Sequence, residues 1–384
     1  MANDFSPLML FLLIFFLLLL VHYLFFLFRI IRGIKNLKPN SSDVLPHEFI
    51  SIIIPFRNEE DNILTSLKSI EAQFYPEEKF EVIYVDDSSE DNSANFLRTK
   101  IKKNNIRVLT VPKDFSVNAH KKRAIRYGIE NAKGQIIVTT DADCVHDDEW
   151  LLSIAQCFDS LTGFVSGPVE FLAEKNMFSR FQRLEFAGLV LCGAGLIGSG
   201  HPTICNAANI SYKKKVFVEV GGFRDQMNLS SGDDELLMQK IAKDSDFKVK
   251  FCIDDRSIVK TASNKTVNDF YQQRKRWASK GLFYNDKSLV LKLILIYLFY
   301  IGLAIQFFLF IFLNSVFLIS FFLSIALKLF FEFYILFKGK KKILNDLELN
   351  YFFFAELVQL PYIIFAGITG AFGNYLWKKR KVKR

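Results

Sequence analysis

Residues 8–28 form an unbroken apolar run in which His22 is the only strongly polar side chain. These 21 positions match the roughly 20 residues that a helix needs to cross the hydrocarbon core of a bilayer. The run is too long for a cleaved signal peptide, and it is followed by Arg29 and Arg32 instead of a small-residue cleavage site. We therefore expect a retained transmembrane anchor.

Basic residues predict the orientation of this anchor. No Lys or Arg precedes the run, whereas Arg29, Arg32, Lys35 and Lys38 follow it. Because basic residues stay on the cytoplasmic side of a membrane, residue 29 onward is predicted to be cytosolic. The sequence thus predicts a multi-pass protein of the cell (inner) membrane with a cytosolic soluble domain.

The apolar residues divide the chain into three parts. Hydrophobic residues make up 51% of the sequence, including 42 Phe, and they concentrate in the first run and beyond residue 289. The region between them has an ordinary soluble composition. We predict an anchor with a basic flank at 1–39, a soluble domain at 40–285 and a membrane region at 286–384.

The membrane region contains three apolar segments, which are Leu289–Leu313, Ser315–Phe337 and a less regular one from Tyr351 to about Trp377. In the second segment, Lys328 and Glu332 are four residues apart and can pair on one helix face. If all three segments crossed, the basic C-terminus would lie outside, against the distribution of charges. We therefore expect the third segment to be re-entrant or interfacial, broken at Pro361.

The formal net charge of +9 comes mostly from basic residues beside apolar segments, where they can face anionic membrane lipids. No basic stripe interleaved with aromatic residues occurs in the soluble part, so nucleic-acid binding is not expected. The five cysteines have no CxxC spacing and are expected to be reduced, packed thiols.

From Phe49 the soluble part alternates strands and helices. Continuous apolar strands separated by helical segments predict a parallel sheet covered on both faces. The predicted elements are strands at Phe49–Pro55, Phe80–Val85, Ile106–Val111 and Gln135–Thr139, with helices from near Glu59 and at Asn118–Ala132. Neither a GxGxxG nor a GxxxxGK[ST] motif is present.

Two acidic loops follow predicted strands, Asp86–Asp91 and Asp141–Asp143. Ligands bind beyond the carboxyl ends of such strands. Asp141 and Asp143 could hold Mg²⁺ or Mn²⁺ to clamp a diphosphate, or they could simply cap a loop. Asp87 could bind a nucleoside, although Asp and Ser also favour ordinary turns.

A third acidic cluster, Asp233-Asp234-Glu235, precedes an apolar helix. One carboxylate could be a general base for an acceptor hydroxyl. The alternative is a helix N-terminus stabilised by negative charge.

The stretch before the membrane region contains Gln273, Arg276 and Trp277, which share one face of a helix. That face could present a guanidinium to a diphosphate and an aromatic wall to a sugar. A basic interfacial stretch with a Trp is the alternative.

Taken together, six motifs resemble the membrane-bound family 2 glycosyltransferases, which include cellulose, chitin and hyaluronan synthases and ceramide glucosyltransferases. The resemblance covers about residues 50–280 and implies a GT-A fold, an α/β, Rossmann-like fold with a mostly parallel sheet, plus transmembrane α-helices. The motifs are PFRNEE (55–60), VDDSSED (85–91), TTDADC (139–144), NAANISYKKKVFVEVGGF (206–223), SGDDELL (231–237) and QRKRW (273–277).

The resemblance implies a role for each matched residue. Catalysis is assigned to Asp234, with Asp233 in the place of its acidic partner, although Gly-Asp-Asp leaves the register between the two open. The metal is assigned to Asp141 and Asp143. Donor binding is assigned to Pro55, Glu59, Asp87, Lys121, Asp141, Gln273, Arg276 and Trp277.

The resemblance further implies an inverting transfer from a nucleotide-diphospho-sugar, with a UDP-hexose or UDP-N-acetylhexosamine expected. The acceptor expected is a lipid or a lipid-linked glycan at the cytosolic membrane face, because at most four crossings are few for a polymer channel. A processive polysaccharide synthase is the alternative among enzymes. A non-catalytic membrane scaffold with a degenerate transferase domain is the alternative of another class.

Overall fold

The computed structural model describes residues 6–39, 48–115, 120–224, 232, 234–279, 284, 286–372, 375–377 and 380–382. The chain divides into two compact units. The α/β unit comprises Arg32–Ser263 and Gly339–Leu347, and the helical unit comprises Met1–Ile31, Asn264–Lys338 and Glu348–Arg384. The domain boundaries predicted from the sequence stay a prediction.

A seven-stranded sheet with the strand order β3-β2-β1-β4-β8-β6-β9 forms the centre of the α/β unit. Its first four strands are mutually parallel, β8 is antiparallel to both neighbours, and β6 is parallel to β9. The predicted mainly parallel α/β fold is confirmed. The strands are β1 (Ile50–Phe56), β2 (Phe80–Asp86), β3 (Ile106–Thr110), β4 (Ile136–Thr139), β6 (Thr162–Ser166), β8 (Ile210–Lys213) and β9 (Lys248–Phe251).

A smaller sheet has the order β5-β10-β7, with β5 at Cys144–Val145, β7 at Val169–Phe171 and β10 at Val259–Thr261. Every residue of β1 and β2 is buried, as expected of strands covered on both faces. The helices of this unit are α2 (Ile63–Glu71), α3 (Ser93–Lys100), α4 (His120–Glu130), α5 (Trp150–Ala155), α6 (Met177–Gly198), α7 (Lys214–Glu219) and α8 (Glu235–Asp244).

Helix α6 is a feature that the sequence analysis missed. It is long and apolar enough to cross a membrane, but 67% of its most apolar stretch is buried within the protein. It packs on β7 and β9. Its apolar sequence therefore reflects core packing, which hydropathy cannot distinguish from a membrane span.

Helix α6 crosses the last turns of α1 (Pro7–Asn36) with backbone in contact with backbone. A Cβ added at Gly33 would lie 1.7 Å from the carbonyl oxygen of Gly195, and one at Gly198 would lie 2.3 Å from that of Gly33. Only glycines permit such an approach. The ammonium group of Lys342 then caps the end of α1, donating to the carbonyl oxygens of Ile34, Lys35 and Leu37.

The helical unit contains the membrane helices. Besides α6, the described residues include four helices that are long and apolar enough to span a bilayer, and they agree with the anchor and the three apolar segments predicted from the sequence. The chain is a membrane protein. The elements are α1, α9 (Val267–Ala278), α10 (Lys287–Phe312), α11 (Val316–Lys342), α12 (Phe352–Phe372) and a hairpin of β11 (Tyr375–Trp377) and β12 (Arg380–Val382).

The predicted break at Pro361 is wrong, because α12 continues through this residue. Proline removes one backbone donor from a helix. In apolar surroundings the remaining backbone groups have no water to bond, so they keep their bonds within the helix.

A buried charged cluster connects three of these helices. Lys328 is 3% exposed, and its ammonium nitrogen lies 2.8 Å from Glu332 Oε2 and 2.9 Å from Gln359 Oε1. It also pairs with Glu356, while Glu332 accepts a hydrogen bond from Tyr23. The predicted pairing of Lys328 with Glu332 is confirmed. Charged groups within membrane-spanning helices are costly unless they pair with one another.

Candidate active site

Two loops at the carboxyl edge of the parallel strands are joined by Arg57. Phe56 at the end of β1 lies beside Asp86 at the end of β2. The guanidinium of Arg57 donates to the carbonyl oxygen of Asp87 at 2.8 Å and to Glu90 at 2.6 Å. Arg57, which the sequence analysis did not single out, thus holds the predicted nucleoside-side loop in place.

The first loop also contains the predicted donor-binding residues Pro55 and Glu59. Pro55 is buried within β1, opposite Val85 of β2. Glu59 is half-buried, and its backbone N–H donates to Ser93 Oγ at 2.8 Å. The backbone at Asn58 has a φ of 51°, a left-handed conformation that Asn tolerates better than most residues.

The first turn of α4 connects the nucleoside-side loop with the Asp141 loop. Lys121 Nζ lies 2.6 Å from Asp141 Oδ1, and Arg123 Nε lies 3.6 Å from Asp87 Oδ1. The structure therefore brings together three of the predicted site residues, Asp87, Lys121 and Asp141. It adds Arg123, which the sequence analysis did not single out.

Within the Asp141–Asp143 loop, Asp141 is half-buried, Ala142 is buried and Asp143 is exposed. The chain then enters β5, where Cys144 pairs with Thr261 of β10. Burial and the two neighbouring carboxylates raise the pKa of the Cys144 thiol, so this thiol stays protonated.

The buried side chain of His146 supports the loop that contains Asp141. One ring nitrogen lies 2.8 Å from Thr140 Oγ1 and the other 3.1 Å from Ser69 Oγ, while the ring packs on Trp150. Burial lowers the pKa of His146 to about 3. The imidazole is therefore neutral at physiological pH, and it fixes Thr140 immediately before Asp141.

Whether a divalent cation fits here depends on which side chains can act as its ligands. Among the residues that the structure describes, no group of three or more His, Cys, Asp or Glu side chains could hold a metal alone. Mg²⁺ is commonly held by one or two carboxylates together with substrate phosphates. Asp141 and Asp143 could supply the two carboxylates of such a site.

Asp234 is at the N-cap position of α8 and is 8% exposed. Its Oδ2 accepts a hydrogen bond from the backbone N–H of Ala207 at 3.1 Å, which orients the carboxylate. Asp233, the other predicted catalytic residue, lies outside the described residues.

The segment that contains Ala207 is held by Asn209, a residue to which the sequence analysis gave no role. The Asn209 side-chain amide donates to the carbonyl oxygens of Pro168 and Ser257, both at 2.8 Å, and accepts from Trp150 Nε1 at 3.2 Å. Asn209 is fully buried. The NAAN motif is thus a structural support for Asp234.

The remaining predicted residues, Gln273, Arg276 and Trp277, lie on α9 in the helical unit. Gln273 accepts from the Asn264 side chain at 2.9 Å. The guanidinium of Arg274 lies over the ring of Trp277, 4.3 Å from its centroid. Arg274, a residue that the sequence analysis passed over, therefore fixes the orientation of this Trp.

Comparisons with known proteins place the chain in a family. Residues 51–186 match the model of Glycosyl transferase family 2, and residues 136–364, more than half of the chain, match that of Glycosyl transferase family group 2. A mannosyltransferase from Pyrobaculum calidifontis, solved in complex with GDP-Man and Mn²⁺, has the same fold, with a TM-score of 0.58, 18% identity, and coverage of 94% of this chain and 99% of that chain.

Two poly-beta-1,6-N-acetyl-D-glucosamine synthases are similar in sequence. The protein of Staphylococcus epidermidis is 25% identical over 61% of this chain, and that of Staphylococcus aureus strain MSSA476 is 26% identical over 67%. The chain spans 55% and 60% of their lengths, respectively. With the family-model matches, these findings show that the chain belongs to the family 2 glycosyltransferases and is a membrane-bound glycosyltransferase of GT-A fold.

Proposed function

We propose that the chain is an inverting transferase that moves a hexose or N-acetylhexosamine from a UDP-linked donor to a lipid or lipid-linked glycan. The observation that carries this proposal is the pairing made by the first turn of α4. Lys121 contacts Asp141 and Arg123 contacts Asp87, so the groups expected at the diphosphate and at the nucleoside belong to one edge of the sheet. Such an edge is where ligands of open α/β sheets bind.

In this proposal the nucleoside binds at the loops after β1 and β2. Asp87 and Glu59 accept hydrogen bonds from the base or the ribose, and Pro55 shapes the floor beneath them. Arg57 keeps the two loops together through its bonds to Asp87 and Glu90. The ammonium of Lys121, which lies beside Asp141, binds the diphosphate.

Asp141 and Asp143 would hold Mg²⁺ or Mn²⁺ together with the diphosphate. When bound, such a cation supplies Lewis-acid stabilisation of the charge that develops on the leaving diphosphate. The mannosyltransferase with the same fold was solved with Mn²⁺, which supports the choice of cation.

The proposed transfer is a single displacement with Asp234 as the general base. The carboxylate takes the proton of the acceptor hydroxyl, and the oxygen of that hydroxyl attacks the anomeric carbon. The bond from this carbon to the diphosphate oxygen breaks, and the nucleoside diphosphate leaves with the electron pair. The bond from Ala207 N–H to Asp234 Oδ2 keeps the base oriented. Asp233 stays a sequence-based assignment for its acidic partner.

Gln273, Arg276 and Trp277 complete the proposal as residues that bind the diphosphate and the sugar. Their assignment rests on the QxxRW resemblance and on the fixed orientation of Trp277. We further propose that the catalytic domain faces the cytosol, because four basic residues follow the anchor.

Two candidate reactions differ in the acceptor of the sugar. The few membrane helices support a single or limited transfer to a lipid-linked acceptor. Two of the similar proteins are named as polysaccharide synthases, which supports processive synthesis as the second candidate. The chain-length distribution of the product, measured with purified protein and labelled UDP-N-acetylglucosamine, separates the two.

A donor screen tests the transferase itself. Purified full-length protein in detergent is given UDP- and GDP-linked sugars with a lipid extract, with and without Mn²⁺, and nucleotide release is measured. We expect release with a UDP-sugar that depends on the extract and on Mn²⁺. No release with any donor would overturn the proposal and favour a non-catalytic scaffold.

A further inference from the structure

The two halves of α12 contact different helices. At its start, the ring of Phe352 lies 5.3 Å from that of Phe333 on α11. Glu356, one turn later, and Gln359, two turns later, contact Lys328. Lys328 lies 12 residues after the start of α11, about 18 Å along that helix. The first half of α12 therefore reaches the middle of α11.

The second half of α12 contacts α10 and α9. Tyr297, in the third turn of α10, donates its hydroxyl to the carbonyl oxygen of Ile364 at 2.7 Å. Tyr271 of α9 bonds Thr369 at 2.7 Å. A Cβ added at Gly370 would lie 2.8 Å from that of Ala278, the last residue of α9. The helix thus ends beside α9.

A crossing helix would make different contacts. At 1.5 Å per residue, α12 extends about 30 Å, enough to bring its end to the turn between α10 and α11. Its end contacts α9 instead, and α9 directly precedes α10 in the chain. Helix α9 includes Asp269, Arg274, Lys275 and Arg276, too many charges for the hydrocarbon core. The end of α12 therefore lies at the membrane face from which α10 enters.

The outer side of α12 is entirely apolar, whereas its two polar side chains in the first half point inward to Lys328. The exposed residues follow the helical spacing of one stripe. They are Phe353, Phe354, Leu357, Val358, Pro361, Phe365 and Ile368. A stripe this apolar next to membrane helices is suited to lipid acyl chains, not to water.

We propose that α12 lies within one leaflet, along the membrane face from which α10 enters, and does not cross the bilayer, with its apolar stripe covered by the acyl chains of that leaflet. Of the helices that the structure describes, α1, α10 and α11 alone then cross the bilayer. An odd number of crossings puts the two chain termini on opposite faces, and it keeps the basic C-terminus on the face of α9, as the charge distribution requires. This inference does not depend on the transferase activity.

The positions of the two termini test the proposal without reference to absolute orientation. Full-length chains with an epitope before Met1 or after Arg384 are expressed in Escherichia coli, and antibody binding is compared in sealed spheroplasts and after permeabilisation. We expect one terminus to be accessible in sealed spheroplasts and the other only after permeabilisation. Termini that are accessible under the same condition would overturn the proposal, because α12 would then cross.

A second measurement tests the lipid contact. Leu357→Trp places an indole in the exposed stripe, and Phe352→Trp places one at a buried position of the same helix. In vesicles of lipid with brominated acyl chains, we expect the fluorescence added by Leu357→Trp to be quenched at least twofold more than that added by Phe352→Trp. Equal quenching would contradict lipid contact along the stripe.

Discussion

Lys121 Nζ and Asp141 Oδ1 are 2.6 Å apart, joining the first turn of α4 to the loop that follows β4. The contact compensates the negative charge of Asp141 and keeps the ammonium group of Lys121 beside the position expected for the diphosphate. A charge-assisted hydrogen bond contributes about 1.5–3 kcal/mol.

We predict that Lys121→Met lowers kcat/KM for the nucleotide-sugar by roughly 10- to 100-fold, mostly through a higher KM, because each 1.4 kcal/mol is a factor of ten. Steady-state kinetics with purified protein checks this. Lys121→Arg should recover part of the loss, and Lys133→Met, at an exposed position just after the same helix, should be neutral. An unchanged KM in Lys121→Met would show that Lys121 does not bind the donor.

Asp234→Asn should abolish transfer and leave donor binding intact. The Asn side-chain oxygen can still accept from Ala207 N–H, so the local structure is kept while the base is lost. General-base catalysis contributes about 10²- to 10⁴-fold in rate. Turnover and nucleotide affinity, measured separately by product formation and calorimetry, check the prediction. Asp244→Asn, at the exposed opposite end of α8, is the matched control, and wild-type turnover in Asp234→Asn would reject the base assignment.

The sequence predicted the parallel part of the sheet because its strands are short, mostly apolar runs separated by helical segments. The predicted strand Phe49–Pro55 lies at Ile50–Phe56, and Phe80–Val85 lies at Phe80–Asp86. Boundaries within one residue suffice to place Asp87 and Asp141 at the carboxyl edge of the sheet, since parallel strands end together.

Other features depend on contacts between distant residues, which leave no local pattern. The apolar helix α6 has the hydropathy of a membrane span but is packed against β7 and β9. Asn209 and Arg57 are ordinary polar residues in the sequence, and only the fold shows what their side chains hold. The break predicted at Pro361 failed because local propensity was overridden by the surroundings of the helix.

Gly33→Ala should destabilise the protein strongly. The added Cβ would overlap the carbonyl oxygen of Gly195 at 1.7 Å, so the crossing of α1 and α6 must open. Overpacking of this kind costs typically about 1–3 kcal/mol, and more where backbone must move. Thermal unfolding in detergent measures the loss.

Gly188→Ala is the control for that measurement, because it lies in the same helix α6 with nothing within 4 Å of the added Cβ. It should stabilise the helix by about 0.5–1 kcal/mol, through the higher helix propensity of Ala. If the two substitutions shifted the unfolding temperature alike, the close crossing would be disproved.

His146 should make the stability of the protein depend on pH. Burial lowers its pKa to about 3, whereas an unfolded histidine has a pKa of about 6.5. Between these values the unfolded chain binds a proton that the folded chain does not, so stability is full above about pH 6.5 and is lost progressively as the pH falls toward 3. At pH 5.5 the loss from this group is about 1 kcal/mol.

His146→Gln removes the titrating ring, so the difference in unfolding free energy between pH 7.5 and 5.5 should shrink by about that amount, although the variant is less stable at both. Denaturant unfolding in detergent at the two pH values checks this. His201→Gln replaces an exposed histidine and should leave the pH dependence as in the wild type. A His146→Gln variant with the full wild-type pH dependence would mean that folding does not lower the pKa of this imidazole.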